Sequence, residues 1–163
     1  MEEVQAWADH PNHHGQELER IREVTVSHAQ DDHLDAESRK RWAKLSLQTN
    51  ARMPGDGPWP QARRAGNNFR LRTLIIDRLG PDRQDFDWDP DLLASDILAT
   101  LTLTPTHARE LSCHWHALPT DQIAELRRLK NGTAPLQRLL RHLQPGPTCD
   151  QAREWLAVRD LLP

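Results

Sequence analysis

Apolar residues recur every three or four positions through most of the chain, which is the spacing of amphipathic helices. Two such stripes, over residues 16–28 and 32–47, are thin and are surrounded by charged side chains. A thin stripe buries little apolar area, so these helices need another surface to pack on. We therefore predict an N-terminal polar helical hairpin over residues 1–49.

Proline and glycine divide the hairpin from the rest of the chain. Residues 50–60 hold three prolines and two glycines, a composition typical of a linker. A longer helix is predicted over residues 61–79, because Leu79 is followed by the helix-stopping pair Gly80-Pro81. Residues 61–163 are predicted to form a helical bundle, and the alternative is one continuous domain over the whole chain.

Helix-start signals recur about every fifteen residues after position 88, each combining an N-cap residue with a good first-turn residue. They are Asp89-Pro90, Thr104-Pro105, Thr120-Asp121, Thr133-Ala134-Pro135 and Thr148-Cys149, the last of which fits a capping box with Gln151. Five short helices with leucine-rich stripes predict a compact bundle. The fold class expected is all-α.

Composition narrows the range of functions. Only 37% of the 163 residues are apolar, and the formal charge is −3, so no overall field attracts the chain to nucleic acid or to an anionic membrane. Gly-rich phosphate loops, nucleophile elbows, paired CxxC motifs and HExxH motifs are absent from the sequence. We expect a non-catalytic protein without a cofactor.

Basic residues cluster in two stretches despite the negative total. Together they form a hypothetical phosphate-binding surface consisting of Arg63, Arg64, Arg70, Arg72, Arg127, Arg128, Lys130, Arg138 and Arg141. In the predicted helix pattern, residues 127–130 end one helix, and residues 138 and 141 share a face of the next. The alternative interpretation is a set of solvated helix faces.

Residues 97–108 partly fit a helix-turn-helix, which suggests a DNA-binding regulator as an alternative function. Thr104-Pro105 would cap and open the second helix of the motif. Thr102 occupies the turn where glycine is usual, and Ser112 falls where an apolar residue should pack. An ordinary helix corner explains the pattern better.

Metal binding is the third hypothesis and would make the chain a small metal-dependent enzyme. His107, Glu110 and His114 lie within a narrow arc if one helix runs on from Pro105. The acidic residues 85–91 resemble a calcium loop, but Pro90 stands where an EF-hand requires glycine. The acidic stretch is therefore interpreted as a carboxylate-capped helix start.

Six tryptophans are many for so polar a chain. Three of them, and one phenylalanine, fall in predicted loops or near the N-terminus, where an aromatic side chain is typical of an interface anchor. The predicted partner-binding residues are Trp7, Trp59, Phe86 and Trp88. They indicate a protein partner or a homo-oligomer.

The expected location is the cytoplasm, without membrane association. The sequence begins Met-Glu-Glu-Val without a basic or apolar segment, and it has only two cysteines, Cys113 and Cys149. The resulting hypothesis is a helical binding protein that serves as a small subunit or adaptor of a larger assembly, associated with nucleic acid through its arginines.

Overall fold

The computed structural model describes residues 15–55 and 57–163, and it describes only the backbone at residues 58 and 59. Every regular element in these residues is helical, so the all-α prediction is confirmed. The helices are α1 (Gly15–Gln30), α2 (Ala36–Ala51), α3 (Pro58–Leu79), α4 (Pro90–Ala99), α5 (Pro105–Ser112), α6 (Thr120–Leu139) and α7 (Pro147–Arg159), with 3-10 turns at Trp115–Ala117 and Leu140–His142.

Internal contacts divide the chain into two compact units. The first ends at Leu79 and contains α1 to α3, and the second is Gly80–Pro163. The Pro/Gly segment predicted as an interdomain linker lies inside the first unit, where it joins α2 to α3. The helix stop at Gly80, which has a φ of 86°, coincides with the division between the units.

The first unit is built on the predicted hairpin, because α1 and α2 pack against each other. Its core consists of Leu18, Ile21 and Leu45, with Trp42 and Met53 packed against them. Arg39 fixes the corner of the hairpin and is itself buried. Its Nε donates a hydrogen bond to the carbonyl of Ala29 at 3.2 Å, and its Nη1 forms an ion pair with Asp32 at 2.9 Å.

In the second unit, α4 packs on α6 and α7, and α5 packs on α7. Two predicted helix starts are confirmed by side-chain caps. Asp89 accepts from the backbone N–H of Asp91 at 2.8 Å, and Thr104 accepts from that of His107 at 3.2 Å. These caps satisfy N–H groups that have no partner within the helix.

The helix start predicted at Thr133 is wrong, because α6 continues through it to Leu139. Thr133 is fully buried, and its hydroxyl donates to the carbonyl of Leu129 at 2.9 Å, one turn earlier. Pro135 lies inside the helix. Burial of the leucines on either side of Thr133 and Pro135 therefore outweighs the local start signal, and four α-helices replace the five predicted after position 88.

The last helix also begins differently from the prediction. It starts at Pro147 after Gly146, whose φ of 154° lies in the region that favours glycine, and no side chain caps it. Thr148 is therefore inside the helix, and the predicted capping box does not form. Among the described helices, none is both long and apolar enough to cross a membrane.

Candidate nucleic-acid interface

The continuity of α6 brings three arginines onto one helix. Its buried face contains Leu129 and Leu136. Arg127 stands nine residues before Leu136, and Arg138 stands nine residues after Leu129. Nine residues are about two and a half turns, so both arginines project from the side opposite the core. Both are exposed, as is Arg128 beside them.

The two outer arginines align along the helix. Arg127 and Arg138 are eleven residues apart, which is about three turns and about 16 Å of rise. Within the described residues, neither forms a hydrogen bond or an ion pair. Arg128 pairs with Glu125 at 3.5 Å, one turn away, and its side chain remains 63% exposed. An exposed pair of this kind is weak and can exchange partners.

The sequence that follows Glu125 is free of acidic residues over a long stretch. Residues 126–149 contain no aspartate or glutamate, and their basic residues are Arg127, Arg128, Lys130, Arg138 and Arg141. This stretch therefore carries a local positive charge even though the whole chain carries −3, and Glu125, which pairs with Arg128, offsets part of it. We call the exposed side chains of Arg127, Arg128 and Arg138 the α6 basic face.

The two other predicted phosphate contacts in this unit are engaged elsewhere. Lys130 is half-buried, and its Nζ donates to the carbonyl of Leu162 at 2.7 Å, which ties α6 to the end of the chain. Its role is structural, so it is removed from the candidate interface. Arg141 is exposed in the 3-10 turn after α6, and its Nε donates to Nε2 of His142 at 3.2 Å.

The arginines of α3 are mostly used to hold the first unit together. Arg72 is only 6% exposed, so it cannot present its guanidinium to a phosphate, and its prediction as a contact residue is corrected. Nη1 of Arg64 donates to the carbonyls of Met53 and Gly55 at 3.0 and 2.8 Å. Arg63 pairs with Glu19 at 3.3 Å. Arg70 alone of these four is exposed without a partner among the described residues.

These two groups of arginines belong to different units, α3 to the first and α6 to the second. Their convergence on one surface therefore stays a prediction. The α6 basic face is complete within the second unit and is the part of the predicted site that the fold brings together.

The two predicted aromatic anchors whose side chains the structure describes, Phe86 and Trp88, differ in exposure. Trp88 is fully buried, because the turn from Asp82 to Trp88 folds it inward through the bond from the Asp82 N–H to its carbonyl at 3.1 Å. It is therefore removed from the predicted partner surface. Phe86, in the same turn, is 62% exposed. Trp7 and the side chain of Trp59 lie outside the described residues, and the backbone of residue 59 belongs to α3 rather than to a loop.

The predicted metal site does not assemble. The helix that begins at Pro105 ends at Ser112, so His114 lies beyond it and leaves the face that carries His107 and Glu110. Over residues 15–55 and 57–163, no group of three or more histidine, cysteine or acidic side chains is arranged to hold a metal ion. The metal hypothesis depended on helix length, and the helix ends two residues before His114.

The helix-turn-helix hypothesis meets a similar difficulty. The two helices of such a motif pack on each other, whereas α4 packs mainly on α6 and α7, and α5 packs on α7. Ser112 is buried although it is polar, since its hydroxyl donates to the carbonyl of Ala108 at 2.6 Å. These helices form a corner of the bundle.

The acidic segment is structural, as predicted. Asp85 accepts from the N–H of Asp87 at 3.1 Å, and Asp91 accepts from Arg83 at 2.5 Å and from the N–H of Gln144 at 2.9 Å. Its carboxylates stabilise turns and a helix start. They leave the α6 basic face as the best-supported candidate site.

The predicted helix pattern divided α6 at Thr133, although the spacing of its apolar residues indicates one continuous helix. Leu126, Leu129, Thr133 and Leu136 continue one three-or-four spacing across the false start, which is the pattern of a single helix. The comparisons with known proteins add no further guide. The chain matches no protein-family model, no curated protein and no solved structure.

Proposed function

We propose that this protein is a non-catalytic helical binding protein that contacts the phosphate backbone of nucleic acid through the α6 basic face, as a small subunit of a larger assembly. The observation that carries the proposal is the exposure of Arg127 and Arg138 on the side of α6 opposite its core, with Arg128 exposed on the flank of the same helix. Guanidinium groups bind phosphate in a planar, bidentate geometry, which makes arginine well suited to this role.

Nucleic acid is favoured over a protein ligand at this face by its chemistry. The whole of α6 contains no aromatic residue, and its outward side is polar. Protein interfaces are usually anchored by buried aromatic and apolar side chains, whereas phosphate backbones are held by charge. Without aromatic side chains to stack on bases, we expect α6 to bind a duplex at least as tightly as a single strand.

Salt-dependent binding to a fluorescent DNA duplex, followed by anisotropy, tests the proposal. If all three arginines contact phosphates, the slope of log K against log salt should be about −2.7. Replacing Arg127, Arg128 and Arg138 together by glutamate should weaken binding at low salt by more than about tenfold, because three attractive contacts become repulsive. A single strand and an RNA duplex serve as further probes.

The matched control reverses three exposed arginines elsewhere, Arg20, Arg41 and Arg109. It changes the net charge by the same amount, so it should retain most of the binding if the α6 basic face is the contact. Equal losses in the two variants would mean that only total charge matters. Absence of binding by the original chain at low salt would remove the proposal.

Membership of an assembly is supported by fewer residues. Phe86 and Leu92, which are 62% and 43% exposed, are the large apolar side chains near α4 that a protein partner could cover. Co-purification of a partner that is lost on Phe86→Ser would support this part. A monomer without partners would limit the proposal to nucleic acid.

A further inference from the structure

A cleft of about 380 Å³ lies in the first unit between the end of α2 and the beginning of α3. Met53, Pro54 and Pro60 supply apolar walls, and Asn50, Arg63 and Arg64 supply polar ones. Its size is in the range of small-molecule sites, about 300–1,000 Å³. None of the functions considered above uses it.

The walls of the cleft are held in place by specific contacts. Arg64 binds the carbonyls of Met53 and Gly55, which folds the chain after α2 back onto α3. Gly55 has a φ of 114°, and a Cβ there would lie 3.1 Å from Pro60. Gly15 approaches Pro54 so closely that a Cβ would lie 2.9 Å from its ring. Met53, Pro54 and Pro60, which belong to the segment that composition predicts as a linker, therefore form part of the cleft wall.

The arginines of the polar wall retain N–H donors that a ligand could use. A guanidinium has five N–H donors, and Arg64 uses one nitrogen for its two carbonyl bonds. Among the residues that the structure describes, Arg63 pairs with Glu19, and its side chain is 71% exposed. Residues 57–76 contain no acidic residue. Within α3 as far as residue 76, no carboxylate offsets the charge of these two arginines, whereas Glu19 of α1 partly offsets that of Arg63.

Asn50 adds a second, independent polar feature. It is 2% exposed, and its Nδ2 donates to the carbonyl of Arg64 at 2.9 Å and to Oδ1 of Asn68 at 2.7 Å. Its Oδ1 is buried without a hydrogen-bond partner. These two bonds fix the Asn50 side chain, so Asn50 forms a rigid part of the cleft wall.

We propose that this cleft binds a small organic phosphate of mononucleotide size. The phosphate lies against Arg63 and Arg64, and the apolar part of the ligand lies on Met53, Pro54 and Pro60. The proposal is independent of the α6 basic face, because all these residues belong to the first unit.

Calorimetric titration with AMP tests it, with adenosine and inorganic phosphate as partial ligands. AMP should bind at least about tenfold more tightly than either, because only AMP engages both walls. Arg63→Ala should weaken AMP binding by about tenfold or more, and Arg63→Lys by less, since lysine keeps the charge. Because Arg63 is exposed, both replacements should leave the fold intact, and circular dichroism checks this.

Arg20→Ala is the matched control, because Arg20 is an exposed arginine of the same unit that does not line the cleft. It should leave AMP binding unchanged. AMP binding that is absent, equal to that of adenosine or phosphate, or unaffected by Arg63→Ala would overturn the inference. The triple glutamate variant of α6 should keep AMP binding, so failure here is distinguishable from failure of the proposed function.

Discussion

The arginines of α3 and α6 look alike in the sequence but differ in what they contact. In α3, Arg64 donates hydrogen bonds to backbone carbonyls of the first unit, and Arg72 is buried in that unit. Arg127 and Arg138 of α6 are exposed and bind no other described residue. Clustering of arginine along a sequence therefore does not by itself indicate a binding surface.

The difference follows from what lies beside each helix. Around α3, the hairpin and the turn after α2 offer acceptors: the carboxylate of Glu19 and the carbonyls of Met53 and Gly55. Arg78, at the end of α3, also reaches an acceptor, the carboxylate of Asp32 at 3.7 Å. The outward side of α6 has few acidic neighbours in sequence, since residues 126–149 include none. Available acceptors decide whether an arginine is structural or open to a ligand.

The largest expected change in stability distinguishes the buried face of α6, which supports the fold, from its exposed face, which does not. Leu136→Ala should lower the free energy of unfolding by about 2–5 kcal/mol, because it removes a fully buried side chain. Arg138→Ala, two residues away on the exposed side, should change it by less than about 0.5 kcal/mol. Urea unfolding followed by circular dichroism measures both.

A substantial loss of stability in Arg138→Ala would break the comparison. It would mean that this guanidinium supports the fold as the arginines of α3 do. Lys130→Ala provides an internal reference on the same helix, since its bond to the Leu162 carbonyl gives it a structural role.

A smaller effect is expected at α3. Arg64→Ala should lower the free energy of unfolding by about 1–2 kcal/mol, because two hydrogen bonds from its guanidinium to backbone carbonyls are lost. Arg70→Ala is the matched control, since Arg70 is exposed on the same helix without a partner in the described residues. Its effect should be within about 0.5 kcal/mol. If the two variants unfold alike in urea, the arginines of α3 are not structural.

Sequence patterns predicted the fold better than the site. Leucine spacing and the caps at Asp89 and Thr104 depend on neighbouring residues, so they are readable locally. The continuation of α6 past Thr133 depends on burial against other helices, which outweighs local capping. Trp88 and Arg72 are buried by tertiary packing, which no local sequence pattern encodes. Exposure, the property that decides a binding residue, was for that reason the least predictable.

The smallest expected effect concerns Glu19, the acceptor that links α1 to an arginine of α3. The hydrogen bond from Arg22, at 2.7 Å, and the charges of Arg22 and Arg63 hold the pKa of Glu19 below its usual value, against the opposing effect of burial. A lowered pKa in the folded state favours folding above the unfolded pKa, near 4.3, and the contribution is lost as pH falls through the folded pKa.

Glu19→Gln should therefore lower the free energy of unfolding at neutral pH by a few tenths of a kcal/mol, because solvent screens the pair. The difference from the original chain should vanish once the pH is below the folded pKa, where Glu19 is protonated in both states. Urea unfolding at a series of pH values measures it. Glu23→Gln, at an exposed position of the same helix, is the control. A Glu19→Gln difference that persisted unchanged into acid would show that the loss does not come from the charge of Glu19, so its ion pair with Arg63 would not contribute the stability assigned to it.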